Sequence, residues 1–354
     1  VSRLNEILLA RIANDGPISV ADYMVECLLH PEYGYYSRRD PFGTAGDFTT
    51  APEISQMFGE LLGLWVAQCW IDRGQPASFT FAELGPGRGT LMADAWRATK
   101  GVPGFHAAAN PVLVEASEHL RAVQQTTLAE IDVGWVTSIE ELPEAPLFLL
   151  ANEFFDALPI QQFIRHENGW AERLIGTGKD GLCFGQGSAR HVPALEHRLG
   201  DTKSGDMVEI CPAAHAVLQD VSDRINAHGG AALIVDYGDW HSLGDTLQAL
   251  KSHETVDVLH QPGQADLTAH VDFEALALAA PDLSHSRLTP QGIFLQRLGI
   301  DQRAEVLARN LSGASLASHL AAHHRLTASD EMGTLFKALA LYAPHSSPPP
   351  GFKS

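Results

Sequence analysis

"SFTFAELGPGRGT", residues 78–90, decides the fold. Phe79 to Leu84 make an apolar run of strand length, Gly85, Gly87 and Gly89 follow at alternate positions, and a helical pattern opens near Thr90. Glycine is needed where backbone turns with positive φ or approaches a ligand closely, and the N-terminus of the next helix favours negative charge. Working outward, the pattern alternates. A helix over "TLMADAWRAT" (90–99) precedes a strand over "PVLVEAS" (111–117), a helix over 118–130, a short strand at "GWVTS" (134–138) and a buried strand at "PLFLLAN" (146–152). Strand and helix taking turns predicts an α/β fold, a doubly wound, Rossmann-like parallel sheet with its ligand outside the carboxyl ends of the strands.

The flanks read differently. Residues 4–29 are helices broken at "NDGP", residues 31–51 form a long loop rich in Gly, Pro, Tyr and Thr, and 52–74 carry a helical apolar period leading into the core. Beyond the sheet's first half, a Gly-rich hairpin region spans 164–206, one helix spans 207–230, and "AALIVDYG" is another buried strand. The expected organisation is N-terminal helices over 1–75, a core over 76–260, a mostly helical insertion over 261–330, a return to the core over 331–345 and a disordered tail over 346–354.

A net charge of −19 without Lys/Arg clusters excludes a nucleic-acid surface and leaves room for a basic protein partner. Cys27, Cys69, Cys183 and Cys211 are scattered without a CxxC pair, which disfavours a zinc site or disulfide framework and suits a reducing compartment. His319 and His323 have the i, i+4 spacing of metal ligands but no third ligand in a recognisable motif, so no metal is expected. No apolar run reaches the roughly 18 residues of a membrane helix, and the first residues read as an amphipathic helix rather than a signal peptide. The expectation is a soluble protein of the bacterial cytoplasm, or of the mitochondrial matrix for a mature eukaryotic chain. An exposed apolar helix face would make it a homodimer.

The spelling of the glycine loop separates three nucleotide-binding classes. A P-loop needs Lys before Ser/Thr, but Gly89 precedes Thr90; the dinucleotide fingerprint needs a third glycine where Thr90 stands. Glu83-x-Gly85-x-Gly87-x-Gly89 instead resembles the first motif of class I S-adenosylmethionine methyltransferases. By that resemblance the glycine backbone faces the cofactor's methionyl part. Glu115, ending the next strand, is placed to accept hydrogen bonds from both ribose hydroxyls, or else is a solvated strand end. With "GDFTTAPEIS", "ELGPGRG", "ANEFFDALP", "DYG", "DLTAHVDF" and "EMGTLFK" in order, residues 5–340 closely resemble the MidA-like family of S-adenosylmethionine-dependent methyltransferases. The resemblance implies symmetric dimethylation of an arginine on a core subunit of respiratory complex I.

The resemblance also makes sense of "FLLANEFFDALP" (148–159), a buried strand stopped by Asn152, Glu153 and Asp156, which packing alone does not explain. In this fold that strand end lies beside the reactive methyl. Two acids there suit a guanidinium, whose planar fork of donors they can hold. The competing structural reading makes Asp156 a turn or helix cap and Asn152 a strand-end cap. Further candidates are Asp47, Phe48, Thr49 and Glu53 against the cofactor, Tyr35 and Tyr36 at the substrate entrance, Asp236 after a strand, and Asp266, Thr268 and His270 on the substrate. Two alternatives stay open at this level, a nicotinamide-dependent oxidoreductase and a non-catalytic assembly chaperone that binds the cofactor.

Overall fold

The computed structural model describes residues 2–38, 50–167, 169–251 and 254–353. Helix α1 (Arg3–Asp15) starts where the Ser2 hydroxyl accepts from Asn5 N, and α2 (Val20–Leu29) starts at a reciprocal Ser19–Asp22 capping box. A short α3 (Tyr35–Arg38) follows. Ser55 caps α4 (Gln56–Asp72), which is apolar nearly all round and therefore buried between the sheet and later helices. Its one buried acid, Glu60, accepts from Arg97 at 2.6 Å and from Arg303 at 2.6 and 2.9 Å, which pins a C-terminal helix to the core.

Strands β1 (Phe79–Leu84), β2 (Ala109–Val114), β3 (Gly134–Val136), β4 (Leu147–Asn152), β5 (Gly230–Asp239) and β6 (Phe336–Tyr342) form the main sheet in the order β3-β2-β1-β4-β5-β6. The first five are parallel and β6 is antiparallel. Every residue of β1 and β4 is buried, as a sheet covered on both faces requires. One face packs on α4 and α5 (Thr90–Thr99); the other packs on α7 (Pro212–His228), with α6 (Glu118–Thr127) beside β2. The chain winds from β1 through β2 to β3, then crosses to β4 and β5 on the opposite side. Ligands bind at such a reversal. Register pairs Leu84 with Val114 and Ala151, and Asn152 with Val235, so Gly85, Glu115, Glu153 and Asp236 emerge along one carboxyl edge.

A small antiparallel sheet is inserted after β4. It is built from Gln161–His166, Gly169–Gly178, Gly181–Gln186 and Met207–Ile210 around Phe163, Trp170 and Val208. The helix expected over 207–230 therefore begins only at Pro212, because Met207–Ile210 pairs with Gln161–Ile164 and Pro suits the first helical turn. A third sheet joins Gln248–Lys251 to Glu254–Val256 and Asp266–Thr268. Helices α8 (Phe273–Leu278), α9 (Gln291–Leu298), α10 (Ile300–Ala308) and α11 (Gly313–Thr327) then lead to β6. From 261 to 330 these helices alternate with turns and short strands. Residues 346–353, expected to be disordered, are docked instead: Trp65 Nε1 donates to Pro350 O at 3.0 Å, and the Phe352 ring lies 5.0 Å from that of Phe294. His319 and His323 tie α11 to α10 through Ala304 O and Asp301.

Candidate active site

Outside the carboxyl edge lies a cavity of about 1190 Å³. Single-ligand pockets run to about 300–1,000 Å³, so a cofactor and a substrate side chain fit together. Gly85, Gly87 and Glu115 line it together with Glu153, Asp156 and Asp266.

The glycine loop is built by backbone geometry. Gly85, Gly87 and Gly89 have φ of 57°, 52° and 82°, a region costly for other residues, and Gly89 caps α5. At Gly85 the neighbour is protein, since a Cβ there would sit 2.8 Å from the Phe154 ring. Gln124 then locks the loop to the acid: its Nε2 donates to Gly87 O at 2.8 Å and to Glu115 at 3.2 Å, while its Oε1 accepts from Trp135 Nε1 at 3.0 Å. Ser117 N donates to the other Glu115 oxygen at 2.7 Å. Burial raises the Glu115 carboxyl above its ordinary range, opposed by these donors. The carboxylate is held in place with acceptor capacity left on both oxygens.

The acids follow from β4. Glu153 has φ of 50°, a strained value for a side-chain-bearing residue, and its Oε1 accepts from Ala51 N at 3.0 Å and Asn152 Nδ2 at 3.1 Å. Asp156 is 7% exposed and its Oδ1 has no hydrogen-bond partner. Asp236, wholly buried, accepts from Phe155 N and Asp156 N on one oxygen and Tyr237 N on the other, so it shapes the loop carrying Glu153 and Asp156. Tyr36 donates to both oxygens of Asp266, at 3.0 and 3.1 Å. Burial raises Glu153; burial and the neighbouring carboxylates raise Asp156 well above its usual range.

The linkage has a definite sign. A carboxyl raised in the folded state binds more protons there than in the unfolded chain, so its contribution is full below the unfolded value near 3.9 and is lost as pH rises through the folded one. Asp156→Asn is therefore expected to stabilise the protein at pH 8, where the buried wild-type carboxyl must ionise or hold a proton that the unfolded chain gives up. Near pH 3.5 it should change little. Urea titrations at the two pH values check this, and an equal effect at both would refute the linkage.

Around the cavity the expected site residues fall into two places. Gly85, Gly87, Glu115, Tyr36, Glu153, Asp156, Asp266, Thr268 and His270 stand at the cavity wall. Glu83 and Asn152 lie behind it around a smaller hollow shared with Glu53 and Arg88, and burial drives Glu83 well above its usual range. Two expectations need correction. Tyr35 is 1% exposed in the N-terminal core, edge-on to Tyr36, because α3 turns it inward. Asp236 has no exposed surface, because backbone N–H groups draw it under the loop. Asp47, Phe48 and Thr49 lie outside the described residues. The sequence reading missed Gln124, Phe154 and Arg325, although Gln124 stands four residues after buried Leu120 on one helix face, where an amide needs partners.

An open α/β sheet with a glycine loop after its first strand and a buried acid just after the second defines a nucleotide-cofactor enzyme. Residues 61–291 match the S-adenosyl-L-methionine-dependent methyltransferase family, and the chain belongs to it. The mitochondrial protein arginine methyltransferase NDUFAF7 of Xenopus laevis is 37% identical over 96% of this chain and 84% of its own length. The Homo sapiens protein of that name is 36% identical over 96% of this chain and 82% of its own. A COG1565 superfamily member from Burkholderia thailandensis, crystallised with S-adenosyl-homocysteine, superposes with a TM-score of 0.84 at 28% identity, covering 99% of this chain and 95% of that one. The nicotinamide alternative falls with this membership. Among the described residues no helix is long and apolar enough to cross a membrane, and no group of three His, Cys, Asp or Glu could hold a metal.

Proposed function

We propose that this chain is a protein arginine N-methyltransferase acting on a core subunit of a complex I-type NADH dehydrogenase, with symmetric dimethylarginine as product. The observation carrying this reading is the group of buried acids, Glu153, Asp156 and Asp266, on the wall of the cavity that Gly85, Gly87 and Glu115 also line. The names of the relatives support the arginine, and the motif resemblance narrows the subunit. The compartment is the bacterial cytoplasm or, as the relatives' names say of them, mitochondria.

Bound there, S-adenosylmethionine supplies an electrophilic methyl group on a positively charged sulfur. Glu115 would hold the ribose hydroxyls and the Gly85–Gly89 backbone the methionyl part; the orphaned oxygen of Asp156 and the fixed carboxylate of Glu115 fit that donor set and charge. Glu153, already braced by Ala51 N, offers an oriented carboxylate to a guanidinium. Two carboxylates holding that fork localise its charge and aim one nitrogen, and orientation alone supplies much of the rate of an in-line displacement.

Incubating the purified subunit with enzyme and labelled cofactor, then mapping the label by mass spectrometry, tests the reading. Arginine is the expected site; label on lysine or on a small molecule would sink it, and no label at all would favour the chaperone. Glu115→Ala should weaken cofactor binding by about 1–3 kcal/mol, the scale of lost hydrogen bonds to a charged group. Unchanged affinity in calorimetry would place the ribose elsewhere.

A further inference from the structure

The acid cluster holds more carboxylates than its surroundings can keep ionised. Glu153 and Asp156 follow β4, Asp236 lies within β5 and Asp266 opens the last strand of the third sheet; each of the other three raises Asp156. The groups facing them are Tyr36 from α3, Tyr237 from β5, His270 after the third sheet, Ala51 N, and the exposed Arg325 of α11, whose charge reaches Glu153. Buried like charges this close do not all ionise, and at least one keeps a proton.

Hydrogen-bond accounting says which. Burial and the neighbouring Glu153 raise Asp236 too, to about 8, but both its oxygens receive backbone N–H groups, at 2.9, 3.0 and 3.3 Å, which favour its charged form and would be weakened by a proton. Glu153 Oε1 receives two N–H donors, and both Asp266 oxygens face the Tyr36 hydroxyl. Asp156 Oδ1, buried at the cavity wall, receives none, and the Ala157 N–H that favours the charged form of Asp156 is outweighed by burial and the three neighbouring carboxylates. We propose that Asp156 carries a proton in the free enzyme and exchanges it for the substrate's guanidinium, one proton leaving to solvent for each arginine side chain that enters. The identity of the cation rests on the arginine reading above; the position of the proton does not. The exchange is balanced: the O–H bond of Asp156 breaks, the proton goes to buffer, and the carboxylate left behind pairs with the incoming cation. Affinity for arginine then rises about tenfold per pH unit while Asp156 remains protonated in the free protein.

Two measurements on the intact chain test this. Carbon-13 NMR of aspartate carboxyls, assigned with Asp156→Asn, should show Asp156 still protonated at pH 6 in the wild type. Calorimetry with N-acetylarginine amide and saturating S-adenosylhomocysteine, in two buffers of different ionisation enthalpy, should give about one proton released per ligand bound at that pH. Asp156→Asn should release none, and Glu153→Gln should bind more weakly yet still release one. An Asp156 carboxyl already ionised at pH 6, or undiminished release from Asp156→Asn, overturns the proposal. Binding without release overturns the exchange alone; a protonated Asp156 with no binding of the arginine probe overturns the exchange and the arginine reading together.

Discussion

Glu153→Gln and Asp156→Asn are each expected to lower the rate of arginine methylation by a factor on the order of 10²–10³ while affinity for S-adenosylmethionine changes only a few-fold. Removing one partner of a buried ion pair costs about 3–5 kcal/mol, and each 1.4 kcal/mol is roughly tenfold in rate. The amides keep size and shape, so the loss reports charge. Both acids stand at the cavity wall with Asp266, and neither hydrogen-bonds to Glu115, the residue proposed to hold the ribose and itself held by Ser117 N and Gln124. That division of roles is why binding and transfer should part company. Initial rates with labelled cofactor, set beside calorimetry of cofactor binding, give the comparison. Undiminished transfer in both variants would return the two residues to caps at the end of β4.

What the sequence could reveal of this site follows from how local each cause is. The glycine loop was legible because three glycines after an apolar run have few other uses, and Glu115 because it ends the next run. The strained φ of Glu153 was not, since it is imposed by Val235 O accepting from Glu153 N across β4 and β5 and by Ala51 N from a segment about 100 residues earlier in the chain. Asp236 reads as an acid after a strand, and only the fold shows that Phe155, Asp156 and Tyr237 consume its oxygens. Asp266–Thr268 is a three-residue strand, too short for a period of two to register. The docked tail was misread for a compositional reason. Ser and Pro predict disorder, but one aromatic, Phe352, finds Phe294.

Gly87→Val should abolish measurable cofactor binding and leave a cooperative fold. Gly85 and Gly87 both have positive φ, but they answer to different neighbours. A Cβ at Gly85 would meet Phe154 at 2.8 Å, so substitution there disturbs packing. Gly87 lines the large cavity, and its carbonyl is held by the same Gln124 that holds Glu115. A valine at 87 adds bulk to a residue that lines the cavity, and it also strains a left-handed backbone at a cost of roughly 1–3 kcal/mol. Gly87→Ala separates the two effects: it carries most of the backbone strain with less bulk, so it should approach the Val variant in stability and lie between it and wild type in affinity. Calorimetry with S-adenosylhomocysteine supplies the affinities and thermal unfolding the stabilities. Wild-type affinity in a folded Gly87→Val protein would remove this loop from the cofactor site, and equal affinity loss in the two variants would assign the defect to strain rather than to the space the ligand needs.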